Sequence, residues 1–219
     1  MSNRIVVAVV VVVACLFSCC FGQQWDDPSI LQVNTERPRA SMMIYPDKAT
    51  AIAGGTGNSQ WLKLLNGNWK FHLVKRPADQ IVDFQNVDFD DSSWKTIPVP
   101  SNWEVQGYDT PIYVNDIYPF PKKQPHAPRE YNPVGHYRMR FAIPREWWGR
   151  RTYVCFDGVD SAFYLWVNGK KVGYSQGSRT PAEFDISRFL ETGKNVLAVQ
   201  VYRWCDGSYL EDQDFWRLS

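Results

Sequence analysis

Cysteine is scarce where it would matter. Of five cysteines, Cys15, Cys19 and Cys20 fall within the first 22 residues, which leaves Cys155 and Cys205 in the body. Two cysteines make no disulfide framework for a body of this size. No Cys-x-x-Cys spacing offers a thiolate metal site. Cys155, between Val154 and Phe156, is expected as a small buried apolar side chain; a Cys155–Cys205 bridge stays open. Histidine is limited to His72, His126 and His136. There is no Gly-x-Ser-x-Gly elbow, no His-Glu-x-x-His and no phosphate-binding loop, which argues against nucleophilic-triad, zinc-hydrolase or nucleotide chemistry. An excess of one charge is missing too, with 24 basic against 23 acidic residues. Without a basic run, nothing points to nucleic acid or to an anionic membrane surface.

The first segment has the layout of a secretory leader. Arg4 precedes an apolar run from Ile5 to Phe17, too short for a comfortable membrane span, and small residues follow. Two exits are open. One is cleavage before Gln23, which gives a signal peptide of residues 1–22. The other is a lipobox at Leu16-Phe17-Ser18-Cys19, with a lipid on Cys19. Either way the chain is expected to be exported, to the periplasm or beyond.

What the chain has in abundance is aromatic side chains: ten Trp, eleven Tyr and twelve Phe. They sit in short alternating runs. Asn68 to Val74 alternates polar and apolar, with His72 on the polar side. From His136 to Ile143, Tyr137, Met139 and Phe141 face one way and Arg138 and Arg140 the other, so a one-residue slip would bury two arginines. Ala162–Val167 and Lys170–Tyr174 flank Asn168-Gly169, a strong hairpin signal. Thr152–Phe156, Ala182–Ile186 and Asn195–Arg203 are further strands. Ser187 is expected to cap a short turn ended by Gly193. Many short strands and little helix predict an all-β sandwich. Residues 23–60, rich in proline and glycine, read as an irregular arm with one helical turn at Asp47–Ala53. The acids of Asp88 to Trp94 lack the glycine and terminal glutamate of a calcium loop, and read as a solvated loop.

Two stretches have no role in a simple sandwich. Ile97 to Pro133 holds too many prolines for a central strand or a helix. A loop this long in a compact domain is usually functional. Cys205 to Ser219 crowds Glu211, Asp212 and Asp214 among Trp204, Tyr209, Phe215 and Trp216. Carboxylates accept hydrogen bonds from sugar hydroxyls and rings cover the apolar sugar faces, but the same acids fit a solvated turn or a cation site. Glu211 and Asp214 as a glycosidase pair would need a cleft that separates their pKa values, and nothing else in the chain supplies its second wall.

Six blocks, in order, carry a resemblance: Leu65-Asn66-Gly67-Asn68-Trp69, Pro100-Ser101-Asn102-Trp103, Gly107-Tyr108-Asp109 with Pro111-Ile112-Tyr113-Val114-Asn115, Phe156-Asp157-Gly158-Val159, Phe163 to Gly169, and Arg203 to Arg217. Together they resemble the amino-terminal part of the β-galactosidases of glycoside hydrolase family 2, more than the β-glucuronidases or β-mannosidases of that family. The resemblance implies a jelly-roll, galactose-binding-like sandwich over residues 61–219. It also implies retaining hydrolysis of terminal non-reducing β-D-galactosides, by glutamates on a separate (β/α)₈ barrel that residues 1–219 do not include. This chain alone is therefore expected to be inactive. By the same resemblance, Asn115 hydrogen-bonds the galactosyl group. Asp214 contacts the sugar and a sodium ion, and the magnesium ligands belong to the missing part. Val114 and Asp116 depart from the flanks that Asn115 has in the best-known members. The competing readings are a stand-alone secreted carbohydrate-binding module, and a sandwich that assembles a homo-oligomer.

Overall fold

The computed structural model describes residues 23–40, 42–55, 59–113, 117–211 and 216–217. In chain order the strands are β1 (Gln32–Val33), β2 (Gly67–Val74), β3 (Lys95–Val99), β4 (Ile112–Tyr113), β5 (Val134–Ala142), β6 (Tyr153–Phe156), β7 (Ala162–Val167), β8 (Lys170–Gln176), β9 (Ala182–Asp185), β10 (Lys194–Tyr202) and β11 (Trp216–Arg217). Among the described residues, two short helices, α1 (Lys48–Ala53) and α2 (Ser208–Glu211), stand beside several single 3₁₀ turns. The strand pairs are antiparallel throughout, in a seven-stranded sheet of order β1-β8-β7-β10-β5-β2-β3 and two ribbons, β6–β9 and β4–β11. This is the all-β fold the alternation predicts.

The hairpin between β7 and β8 forms at Asn168 and Gly169, whose φ angles of 50° and 77° are the pair a type I′ turn requires. Pro98 lies in β3, at the sheet edge, where a missing N–H costs no ladder bond. The main core lies between the large sheet and the β6–β9 ribbon. Phe163, Leu165 and Val167 of β7 meet Leu197, Val199 and Val201 of β10, with Val154 of β6 and Phe184 of β9 across the layer.

The other face of the sheet is covered as well, which the sequence reading did not anticipate. Trp25 stacks on Tyr202 beneath Tyr164 and Tyr174, and Phe84 and Trp94 pack on Ala198. A run buried on both faces shows no alternation, so β7 and β10 read as nearly continuous apolar segments. The arm expected over residues 23–60 contributes to this cover. Trp25 is 1% exposed, and β1 adds a strand to the sheet edge beside β8. Gly173 permits that approach: a Cβ there would sit 2.3 Å from the Val33 carbonyl oxygen and 2.6 Å from the Phe184 ring.

Several expectations are corrected here. Arg138 is only 1% exposed and Asp91, expected in a solvated loop, only 6%. Arg138 Nε donates to Asp91 at 2.8 Å, and its Nη1 donates to the carbonyls of Phe84 and Asn86. Burial opposes ionisation of Asp91, but hydrogen bonds from Arg138 and Arg140 hold it below its ordinary value. At Arg138 the polar face of β5 is therefore an internal ion pair, while Arg140 stays exposed and reaches Asp91 from the rim at 3.2 Å. Cys155 is exposed, because its position in β6 points away from the layer that buries Val154, while Cys205 is buried; both are free thiols. Ser187 lies inside its 3₁₀ turn and caps nothing. Its hydroxyl instead accepts from the Thr152 N–H at 2.8 Å and donates to Asp185 at 2.6 Å. His72 is exposed and a helical turn forms at α1, both as expected; Asp47 proves to be its N-cap and accepts from the Thr50 N–H at 2.8 Å.

Candidate functional site

The two stretches without a role in the sandwich meet in the β4–β11 ribbon, where Tyr113 pairs with Trp216 and Ile112 with Arg217. Asn115 and Asp214 both lie outside the described residues. In sequence, Asn115 comes two positions after Tyr113, and Asp214 two positions before Trp216.

Arg203 anchors the approach to β4. It follows β10, and its side chain is fully buried. One end of the guanidinium donates to Asp109; the other donates to the Thr110 carbonyl at 2.9 Å and lies 3.4 Å from Glu104. Asp109 also accepts from the Tyr131 hydroxyl, and Glu104 accepts from the Trp103 indole at 2.5 Å. Trp103 itself is seated on Gly135, where a Cβ would come within 2.7 Å of the indole. The chain from Trp103 to Thr110 is thus held by one cation immediately before Ile112 and Tyr113.

Two carboxylates around one buried guanidinium leave a surplus of negative charge. Burial raises Glu104 to about 7, against the pull of its own backbone, Arg203 and Trp103, with Asp109 adding to the rise. Burial and the hydrogen bond to Asp109 push the Tyr131 phenol up to about 12. Among the described residues, Glu104 Oε2 and Arg203 Nε have no hydrogen-bond partner.

Further contacts tie the proline-rich loop to the segment after β10. The Asn132 side chain donates to the Trp204 carbonyl at 2.9 Å and accepts from the Trp204 N–H at 3.0 Å. The Tyr209 hydroxyl donates to the His126 carbonyl at 3.0 Å and accepts from the Lys123 N–H at 3.1 Å. Phe120 packs between Trp204 and Tyr209, at ring separations of 5.0 and 5.4 Å. From the arm, Asp26 accepts from the Ala127 N–H at 2.7 Å and pairs with Arg129.

Glu211, the first acid of the cluster, is engaged structurally. It accepts from the Ser178 N–H at 2.8 Å, and its second oxygen lies 2.7 Å from the Ser178 hydroxyl. That places α2 against the loop after β8, one residue before the segment that carries Asp214. Asp206, at the start of the same turn, is raised by burial. Arg203, Glu104 and Ser178 were not singled out from sequence. The available signal was the charge of Arg203 at the end of a nearly apolar strand.

The family model for the sugar binding domain of glycosyl hydrolases family 2 matches residues 62–219. The chain belongs to this family. Its relatives include a protein named beta-galactosidase from Pectobacterium atrosepticum, 50% identical over 198 residues, covering 90% of this chain and 19% of that protein. A second, beta-galactosidase from Priestia megaterium, is 44% identical over 201 residues, with the same shares. Among solved structures, Bacteroides uniformis beta-glucuronidase aligns with a TM-score of 0.49 and 25% identity, over 64% of this chain and 14% of that one. The chain spans about a fifth of the length of the curated relatives it matches.

Within this family 2 domain, the matched region contains both sequence-predicted site residues and every group of the Arg203 cluster. Trp25 and β1 precede it, yet they complete the reverse face of its sheet. Among the described residues no three His, Cys, Asp or Glu side chains converge on a metal-sized space, and no helix is long and apolar enough to cross a membrane.

Proposed function

We propose that this chain is the amino-terminal, sugar-binding part of an exported β-galactosidase. The parent enzyme would remove terminal non-reducing β-D-galactose with retention. The observation that carries this reading is 44–50% identity to proteins named beta-galactosidase over 90% of the chain. The chemistry of the chain agrees with it. An acid pair for glycoside cleavage needs carboxyls about 5 Å apart for retention, with distinct pKa values. Of the two acids weighed for such a pair, Glu211 is held by Ser178. Catalysis then falls to a separate barrel, and this domain supplies substrate contacts.

In this reading Asn115 donates to and accepts from galactosyl hydroxyls, and Asp214 accepts from them. The β4–β11 ribbon supports the pairing of roles, since it joins the described chain on either side. Asp214 would also serve as one oxygen ligand of a sodium ion, while magnesium would be held by residues of the barrel. Neither ion enters a step assigned to this chain. Residues 1–22 would direct export and be removed before Gln23, or leave a lipid on Cys19; the mass of the mature protein separates the two.

Calorimetry of the full chain with galactose tests the binding role. A millimolar binding component that Asp214→Ala removes is expected, and galactose binding wholly unchanged by that variant would count against the role of Asp214. A chromogenic β-galactoside should not be hydrolysed by the chain alone, and measurable turnover would overturn the division of labour between domain and barrel.

A further inference from the structure

A cavity of about 370 Å³ opens on the face of the seven-stranded sheet that turns away from the sandwich core. Alternation along the strands builds it. Phe163 and Leu165 of β7 enter the core, so Tyr164 and Trp166 line the opposite side. Val199 and Val201 of β10 do likewise and leave Gln200 and Tyr202 on the cavity wall.

Its chemistry is uneven in a useful way. The rings of Tyr164 and Trp166 lie 5.9 Å apart, and Tyr164 and Tyr202 the same; the two tyrosines are buried, and Trp166 is the half-buried ring of the three. Amides sit at the rim. Gln80, which is exposed, accepts from Gln200 Nε2 at 3.1 Å and from the Tyr202 hydroxyl at 3.2 Å. Its oxygen is thus committed, while its NH₂ group donates to nothing among the described residues. The half-buried Trp166 has an indole N–H that no described group accepts. Lys171 Nζ lies 4.5 Å from the Tyr164 ring centre and donates to Gln24 at 3.1 Å. Among the described residues no carboxylate lines the cavity.

Aromatic walls with a few fixed polar groups, in a few hundred Å³, are the ordinary make-up of a small-ligand site. Here the polar groups are mainly amide, indole and hydroxyl, which hydrogen-bond ring hydroxyls without demanding a charge. Flat rings offer a surface for the apolar C–H face of a pyranose. We infer that this cavity is a second saccharide site, which takes one pyranose unit of a neutral sugar against Trp166 and hydrogen-bonds it through Gln80. Its lining shares no residue with the site proposed around Asn115 and Asp214, and the inference does not depend on that assignment.

Saturation-transfer NMR and calorimetry on the full chain decide it, with methyl β-D-galactopyranoside and methyl β-D-glucopyranoside as probes. At least one should bind with a dissociation constant near 1 mM. Trp166→Ala should weaken that binding at least about tenfold, a 1.4 kcal/mol loss, and Gln80→Ala should weaken it measurably. Gln80→Ala removes the acceptor shared by Gln200 and Tyr202, so it should lower the melting temperature yet leave a folded chain, and it decides the matter should Trp166→Ala misfold. Asp214→Ala should leave this site intact. Absence of binding by both probes overturns the inference. So does binding that Asp214→Ala abolishes while Gln80→Ala and Trp166→Ala retain it.

Discussion

Between the seven-stranded sheet and the β6–β9 ribbon, Leu165, Leu197 and Phe184 are fully buried among apolar neighbours. Around Arg203 the burial is as complete, but the buried groups are a guanidinium and two carboxylates. The two regions divide the work of the domain. The apolar layer makes the sandwich stable and is indifferent to pH. The charged cluster fixes an irregular chain, from Trp103 to Tyr113, that has no ladder to hold it for most of its length. Buried ions contribute little net stability compared with apolar groups of the same shape, but breaking one partner is costly. Their directional bonds instead specify one conformation of the loop.

The largest effects should come from truncating either region, and pH should tell them apart. Arg203→Ala leaves Glu104 and Asp109 buried without their cation, which should cost about 3–5 kcal/mol at pH 8. Leu165→Ala leaves a cavity in the apolar layer, at a cost of about 2–5 kcal/mol. Urea unfolding of the full chain at pH 8 and pH 5 measures both. The Arg203→Ala penalty should shrink at pH 5, where Glu104 takes up a proton. That of Leu165→Ala should not change. Equal pH responses would remove the distinction between the two regions.

The same contrast explains what could be read from the chain. The hairpin at Asn168-Gly169, the strands β2, β5, β7 and β10, and the helical turn α1 follow from local rules of turn chemistry and spacing, and the structure contains all of them. The β5 arginines illustrate the limit. Their alternation with Tyr137, Met139 and Phe141 was legible, but whether the second face meets water depends on the segment from Ile81 to Trp94, which folds over it. Asp91 and Cys155 were misjudged for the same reason: exposure is settled by distant chain. The candidate site was legible only as two stretches without a role in a sandwich. Their meeting in the β4–β11 ribbon, and the anchors Arg203, Glu104 and Ser178, depend on partners up to a hundred residues apart, which no local pattern encodes.

A smaller effect isolates Glu104. Its carboxyl, raised from 4.5 to about 7, binds a proton more tightly folded than unfolded. The stability it contributes is therefore full below pH 4.5 and is lost as the pH rises through about 7. His136 works the other way. Burial lowers it from 6.5 to about 4, so its contribution is present above pH 6.5 and is lost on acidification. Glu104→Gln keeps an acceptor for the Trp103 indole and removes the titration. Relative to wild type, the variant should gain stability steadily between pH 4.5 and 7, to a limit of about 3 kcal/mol at pH 8. Melting temperatures across that range would show it, and a constant difference would mean that Glu104 keeps an ordinary pKa in the fold.

The smallest effect should come from neither region. Asp47 caps α1 through the Thr50 N–H and hydroxyl, at 2.8 and 3.0 Å, but no residue of that helix is buried. Removing a cap costs a helix about 1 kcal/mol. Where a helix packs on nothing, that loss has no route into the cooperative unfolding of the sheet. Asp47→Ala should speed amide exchange from Lys48 to Ala53 and leave the global melting temperature within about 1 °C of wild type. A drop as large as that of Leu165→Ala would show that α1 belongs to the cooperative core, and that the boundary between arm and sandwich lies further toward the amino terminus than the family match begins.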